Sequence, residues 1–369
     1  MCNAVYGTFI PVYLDNLGFS RSLIGTLLAL GPFIAIIAQP IWGIAGDRSA
    51  AKNSILKLML LGTSITIILY PLSSNYYYLV FIIAAFTFFQ TSINPMSDAI
   101  TLEYISNTGW KYGPIRLAGT VGYAVMSVIA GMIAKQNIYT IFPLYFFITV
   151  LSLASVFRIP VVKGHQSEGK RFAFWNLFKN RELVILMGFN LVIQTTLGIY
   201  YSFFPIYYRH LGASNTLLGL SMFISAASEI PFLLFADRIL DKFGIKATLI
   251  SSAAVMGIRW LLLNTVTGIY PILLINVMHG FSYVVFTYCL AVYISKEIPR
   301  ELRASGQTLS SLVGIGISRV IGSILGGLLS DRLGIGTVFL CSSIINFASI
   351  ALFAIIIVIG KAGEQKGVA

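Results

Sequence analysis

Eleven apolar runs follow one another along this chain with only short polar breaks between them. They lie near residues 22–46, 55–73, 78–104, 114–134, 139–159, 183–206, 216–236, 247–266, 270–294, 304–329 and 337–360. Each is about 20 residues or longer, the length an α-helix needs to cross ~30 Å of hydrocarbon at ~1.5 Å per residue. Runs of this length predict membrane-spanning helices. A shorter run opens the chain. Residues 1–14 are apolar as far as Asp15, about 21 Å as a helix, which is too short to span. They carry no basic leader and no cleavage site, so they do not read as a signal peptide. The expectation is the second half of a first helix, its beginning lost to a mis-assigned start or a truncation. With it the helices number twelve.

Charge placement supports this reading. Only 10% of residues are charged, against about a quarter in soluble domains. The net charge of +12 could suggest a nucleic-acid partner, but the basic residues are sorted by loop. Taking alternate loops from the one after the second helix, one side collects residues from Arg48, Lys52 and Lys57 through Lys361 and Lys366. The other side holds Arg21, Lys135, Arg209 and Arg332. The positive-inside rule places the rich side and both termini in the cytoplasm, so the basic excess is a topology signal and not a nucleic-acid site. Cys2, Cys289 and Cys341 form no spaced framework, and His165, His210 and His279 form no ligand motif. Neither a metal nor another cofactor is implied.

The longest polar stretch, residues 161–182, falls after six helices and before six more. The expected organisation is an N-terminal half at 1–160, a cytoplasmic linker at 161–182, a C-terminal half at 183–360 and a tail at 361–369. Phe172, Phe174, Trp175, Leu177 and Phe178 stand beside basic residues in the linker and could lie along the membrane surface, or the stretch is a plain connection. A weak repeat relates the halves. GIAGDRSAAKN, residues 43–53, follows the second helix, and ADRILDKFGIK, residues 236–246, follows the eighth. Gly43, Asp47, Arg48, Asp237 and Arg238 are the candidate cytoplasmic gating residues. Repeated halves are a transporter construction with the substrate bound at mid-membrane.

The chemistry resides in the few ionisable groups within apolar runs. A charge at bilayer depth costs ~2.5–3.5 kcal/mol on insertion scales, so it faces protein or water and is a functional candidate. Asp98 lies in the fourth helix and Arg116 begins the fifth, across a polar hairpin at 106–113. The long Arg side chain could reach along the axis to meet the acid, either in a binding site or in a structural ion pair. Glu229, Arg259, His279 and Arg319 lie in the C-terminal half. Arginine donates two parallel hydrogen bonds, and a carboxylate accepts two, which suits vicinal hydroxyls. Pro231 frees a backbone carbonyl near Glu229. Desolvation favours the neutral form of a buried carboxylate, making Glu229 or Asp98 a candidate proton carrier. Glu229 could instead simply pair with Arg259. His279 could relay protons, bind substrate or be a satisfied core residue. Arg319 is either coupling or structural. Tyr123, seven residues after Arg116 on the same face, could stack on a ring or merely pack.

The chain resembles the major facilitator superfamily, and within it the clade of lactose permease, the nucleoside–proton symporters and the phenylpropionate permease. The residues that carry the resemblance are Pro95-Met96-Ser97-Asp98, Tyr112-Gly113-Pro114-Ile115-Arg116-Leu117, Gly119-x-x-Gly122-Tyr123, Gly257-Ile258-Arg259-Trp260, Val277-Met278-His279-Gly280 and the Asp-Arg turn at residues 43–53. The resemblance implies a substrate site at Asp98, Arg116, Tyr123 and His279, with Arg259 in coupling. The chain departs from lactose permease at Asn276 and Ser282, where that permease has a lysine and the proton-carrying glutamate. Glu229 is the substitute carrier, and Glu229, Arg259 and Arg319 form the coupling set.

The expectation is therefore a twelve-helix major facilitator, acting as a monomer in the cytoplasmic membrane. It would couple protons to uptake of a sugar or nucleoside by alternating access. The alternatives are an aromatic or other organic carboxylate as substrate, or export. No H-E-x-x-H, G-x-S-x-G or Cys/His cluster supports an enzyme.

Overall fold

The computed structural model describes residues 1–105, 110, 112–162, 174–299 and 302–366. Side chains of 112–114, 116, 174–176, 304 and 357–366 are outside that description. Twelve helical rods run through these residues: α1 (Cys2–Asn16), α2 (Arg21–Arg48), α3 (Lys52–Leu72), α4 (Tyr76–Ile105), α5 (Tyr112–Ile133), α6 (Ile138–Val156), α7 (Arg181–His210), α8 (215–243), α9 (245–265), α10 (Ile269–Glu297), α11 (303–333) and α12 (Ile335–Lys366). Apart from α1, most begin and end within a few residues of the apolar runs.

The segment 236–246 departs from its expected loop form. It is helical as far as Phe243, and α8 passes into α9 through Gly244 alone, whose φ of 75° favours a residue without a Cβ. Likewise Gly43 to Arg48 is the last turn of α2, and only residues 49–51 form the turn. Charged side chains at the end of a helix extend it beyond the apolar slab without breaking it.

Several rods start at side-chain caps. Asn75 Oδ1 accepts from the amides of Tyr77 and Tyr78, and Asn137 Oδ1 from that of Tyr139. A repeat in the caps escaped the sequence reading. α1 ends in Leu17-Gly18-Phe19-Ser20 and α7 in Leu211-Gly212-Ala213-Ser214. Each glycine has positive φ, and each serine caps the next helix.

Apolar stripes on the outside define the solvent. On α2 Phe33, Ile37, Ile41 and Ile44 are exposed, and on α3 Leu58, Leu61, Ile65 and Ile68. A spacing of three to four residues is one face of a helix. Such faces suit lipid.

The contacts divide the chain into two compact units. The first holds Met1–Lys170 and Phe204–Phe223, and the second Arg171–Phe203 and Ile224–Ala369. In the first unit Tyr70 stacks on Phe142 at 5.5 Å, and Tyr6 lies on Phe86 at 4.5 Å. Segment 204–223 packs on α5, where Gly131 and Gly219 leave room for the backbone. A Cβ on Gly131 would lie 2.5 Å from Asn215 O, and one on Gly219 would overlap Ser127 O. Asn215 also donates to Ala134 O at 2.7 Å. In the second unit Phe189 stacks on Phe353 at 4.3 Å, and the buried Trp260 on Phe339 at 5.9 Å.

Candidate functional site

α10 is not one continuous α-helix. Ile269–Ile275 is α, Asn276–Phe281 is 3₁₀ and Tyr283–Glu297 is α again. With three residues per turn, positions i and i+3 align along a 3₁₀ helix. Asn276 and His279 therefore point the same way, and both meet Arg259 of α9. The guanidinium donates from Nη2 to Asn276 Oδ1 at 2.7 Å and from Nη1 to His279 Nδ1 at 2.9 Å. Arg259 and Asn276 are 0% exposed, so this contact is sealed. Tyr200 of α7 donates to the same Oδ1 at 2.7 Å, and Asn276 Nδ2 donates to Ile272 O at 3.1 Å. The guanidinium also lies 4.2 Å above the Tyr200 ring, a favourable cation–π distance.

These bonds fix the imidazole. A guanidinium has no acceptor, so Nδ1 of His279 must accept and Nε2 carries the proton. That proton faces the Tyr201 hydroxyl at 3.1 Å and Glu229 Oε1 of α8 at 3.5 Å. In place of the alternative Glu229–Arg259 pair stands a chain in which the neutral ring of His279 lies between cation and anion. Arg319 joins through Tyr201, its guanidinium 4.1 Å over that ring. It follows a π-helical stretch, Leu312–Ile317, in α11. The cluster holds two guanidinium groups and one carboxylate. Among the described residues neither arginine forms an ion pair, and both Nε atoms are buried without a hydrogen-bond partner.

In the first unit, Asp98 is half-buried on α4 and has no ion-pair partner among the described residues. Tyr123 is half-buried on α5. Arg116 stands near the start of α5, but its side chain lies outside the described residues, and so does any pairing with Asp98. Among the gating candidates, Asp47 is 4.0 Å from Lys52, whose Nζ meets Glu103 at 2.8 Å. Gly43 and Arg48 are exposed on the last turn of α2. Asp237 accepts from the Tyr288 hydroxyl, and Arg238 lies 5.8 Å over the Phe235 ring. Asn53, the last residue of that motif, holds the linker. Its Oδ1 accepts from Val162 N at 3.0 Å and its Nδ2 donates to Pro160 O at 3.1 Å, tying the start of the linker to the turn.

Sequence reasoning missed Tyr200 and Tyr201, and also Asn190 and Gln194. The last two are 2% and 4% exposed, with Oδ1 and Oε1 unpartnered among the described residues. A signal was present. Positions 190, 194 and 201 fall on one helical face of an otherwise apolar run.

Comparison with known proteins gives this arrangement a context. The model of the MFS_1 like family matches residues 4–341. The maltose permease of Geobacillus stearothermophilus is 26% identical over 368 residues, covering 98% of this chain and 93% of that protein. The probable 3-phenylpropionic acid transporter of Escherichia coli is 22% identical over 339 residues, covering 90% and 89%. The crystal structure of the nucleoside transporter NupG superposes with a TM-score of 0.84 at 17% identity, covering 96% of this chain and 95% of that one.

Proposed function

This chain belongs to the MFS_1 like family, within the major facilitator superfamily, and from that premise we propose that it couples protons to uptake of a small polar organic solute. It is a multi-pass membrane transporter and not an enzyme. The proposal adds the proton, the direction, the cytoplasmic membrane and the substrate class, a sugar or a nucleoside. Its relatives include a permease for maltose and a structural neighbour for nucleosides.

One observation carries the proton coupling: the Arg259–His279–Glu229 chain. Glu229 is the carrier. Its carboxylate faces the Nε2–H of a ring whose other nitrogen is held by a buried cation. Gaining a proton there cancels the one negative charge of the cluster and leaves two guanidinium groups. Losing it returns one negative charge against the two positive ones. Arg259 holds Asn276 and His279 in line, and Arg319 fixes Tyr201. In the first unit, Asp98, Arg116 and Tyr123 supply acceptors, donors and a ring to the solute. Alternating access carries the loaded site across.

A second reading takes an organic carboxylate as substrate. It is favoured by the two arginines that meet no carboxylate among the described residues, since a buried charge requires a partner.

The test uses purified protein in proteoliposomes with a pH dye outside and no imposed potential. Maltose, uridine and 3-phenylpropionate are added in turn. External alkalinisation with one of them supports symport and identifies the class. Uptake without proton movement refutes the coupling.

A further inference from the structure

At Gly280, α10 touches the backbone of α8 with no side chain between them. A Cβ there would overlap the carbonyl of Ser228 and lie 2.7 Å from the amide nitrogen of Glu229. Both are main-chain atoms of a helix, so no rotamer change relieves the contact. The approach is also bonded. Gly280 N donates to Ser228 Oγ at 2.9 Å, and that hydroxyl donates to Ser225 O at 2.7 Å. The residue that follows the 3₁₀ stretch, Ser282, is tied to a different helix. Ser282 Oγ donates to His279 O at 2.8 Å, and Ser252 of α9 donates to Ser282 O at 3.0 Å.

We propose that Gly280 and Ser228 are positioning residues that set the gap between Glu229 and His279. The 3₁₀ segment is held on both sides: by Arg259 and Ser252 on α9, and by Ser228 on α8. Added volume at Gly280 can move the segment only away from α8. The bonds to α9 remain, and the 3.5 Å spacing from His279 Nε2 to Glu229 Oε1 is what opens. His279 is also faced by Tyr201, by Tyr283 with ring centroids 5.7 Å apart, and by Arg319 across Tyr201. None of these takes the place of the carboxylate, so widening the gap separates the proton carrier from the ring. This inference rests on Glu229 being the carrier, as proposed above.

The experiment compares two fluxes in the full chain reconstituted in proteoliposomes, with radiolabelled maltose, uridine and 3-phenylpropionate as probes. Exchange at equal concentration and equal pH requires no net proton movement. Uptake driven by a pH gradient does. Gly280→Ala is expected to lower the ratio of driven uptake to exchange about tenfold, the equivalent of ~1.4 kcal/mol in coupling. Ser228→Ala adds no volume and removes only the hydroxyl; it lowers the same ratio severalfold. A general packing defect would reduce both fluxes together and leave the ratio alone. If Gly280→Ala fails to fold, the Ser228→Ala ratio decides. A wild-type ratio in Ser228→Ala, or in both variants, overturns the proposal. Wild-type vesicles that exchange a probe yet ignore the pH gradient overturn the symport reading, and this inference with it.

Discussion

Arg259 holds Nδ1 of His279 as an acceptor at 2.9 Å, and this single bond decides which imidazole nitrogen faces Glu229. The same guanidinium spans to Asn276, three residues earlier. A lysine ammonium carries its donors on one point and not on a fork. Arg259→Lys is therefore expected to keep the positive charge yet lose one of the two bonds. A lost buried hydrogen bond costs about 1–3 kcal/mol. Driven uptake should fall by about tenfold or more, measured against exchange in the same vesicles.

Glu229→Gln keeps the size of the side chain and removes its titration. The substitution mimics the protonated carrier. Exchange should persist, while the pH gradient loses its influence on net uptake. The check is initial uptake rate measured from pH 5.5 to 8. A variant with the slope of the wild type would transfer the carrier role to another group.

Asn276 has its acceptor used twice and its amide used once. Asn276→Leu strands one Arg259 nitrogen in a sealed site and removes one partner of the Tyr200 hydroxyl. A stranded group costs about 1–3 kcal/mol. The expected outcome is a lower thermal unfolding midpoint in detergent, with loss of transport. Tyr200→Phe, which removes one donor and strands little, should cost less on both measures.

Asn53→Ala tests the strap at the start of the linker. The substitution removes the bonds to Val162 N and Pro160 O. Protease cleavage between residues 163 and 173 should become faster, while exchange of a carried probe changes less than twofold. Unchanged cleavage would mean that Lys52 N, which donates to Val162 O at 2.8 Å, holds the segment alone.

Several features of this fold were legible because they follow from the bilayer. Run length gave the rods, and lone charges such as Glu229, Arg259 and His279 marked their interior faces. Other features depend on geometry that no local pattern encodes. The segment 236–246 looked like a loop because Asp237, Arg238, Asp241 and Lys242 are charged, yet a helix end tolerates such residues and only Gly244 breaks it. The alternative of a direct Glu229–Arg259 pair came from counting opposite charges without their positions. The 3₁₀ turn brings His279 between them. Tyr200 and Tyr201 are two of 19 tyrosines, and their roles come only from what α9 and α10 present to them.

The 3₁₀ stretch of α10 also gives that rod two possible lengths. Six residues at ~2.0 Å rise would shorten by about 3 Å if rewound as α-helix at ~1.5 Å. Over the three steps from Asn276 to His279, the change from ~120° to ~100° per residue would turn the ring by about 60° relative to the amide. One guanidinium could then no longer hold both. The Arg259 fork thus works as a gauge of helix pitch: it closes on two acceptors only when this segment is wound tight.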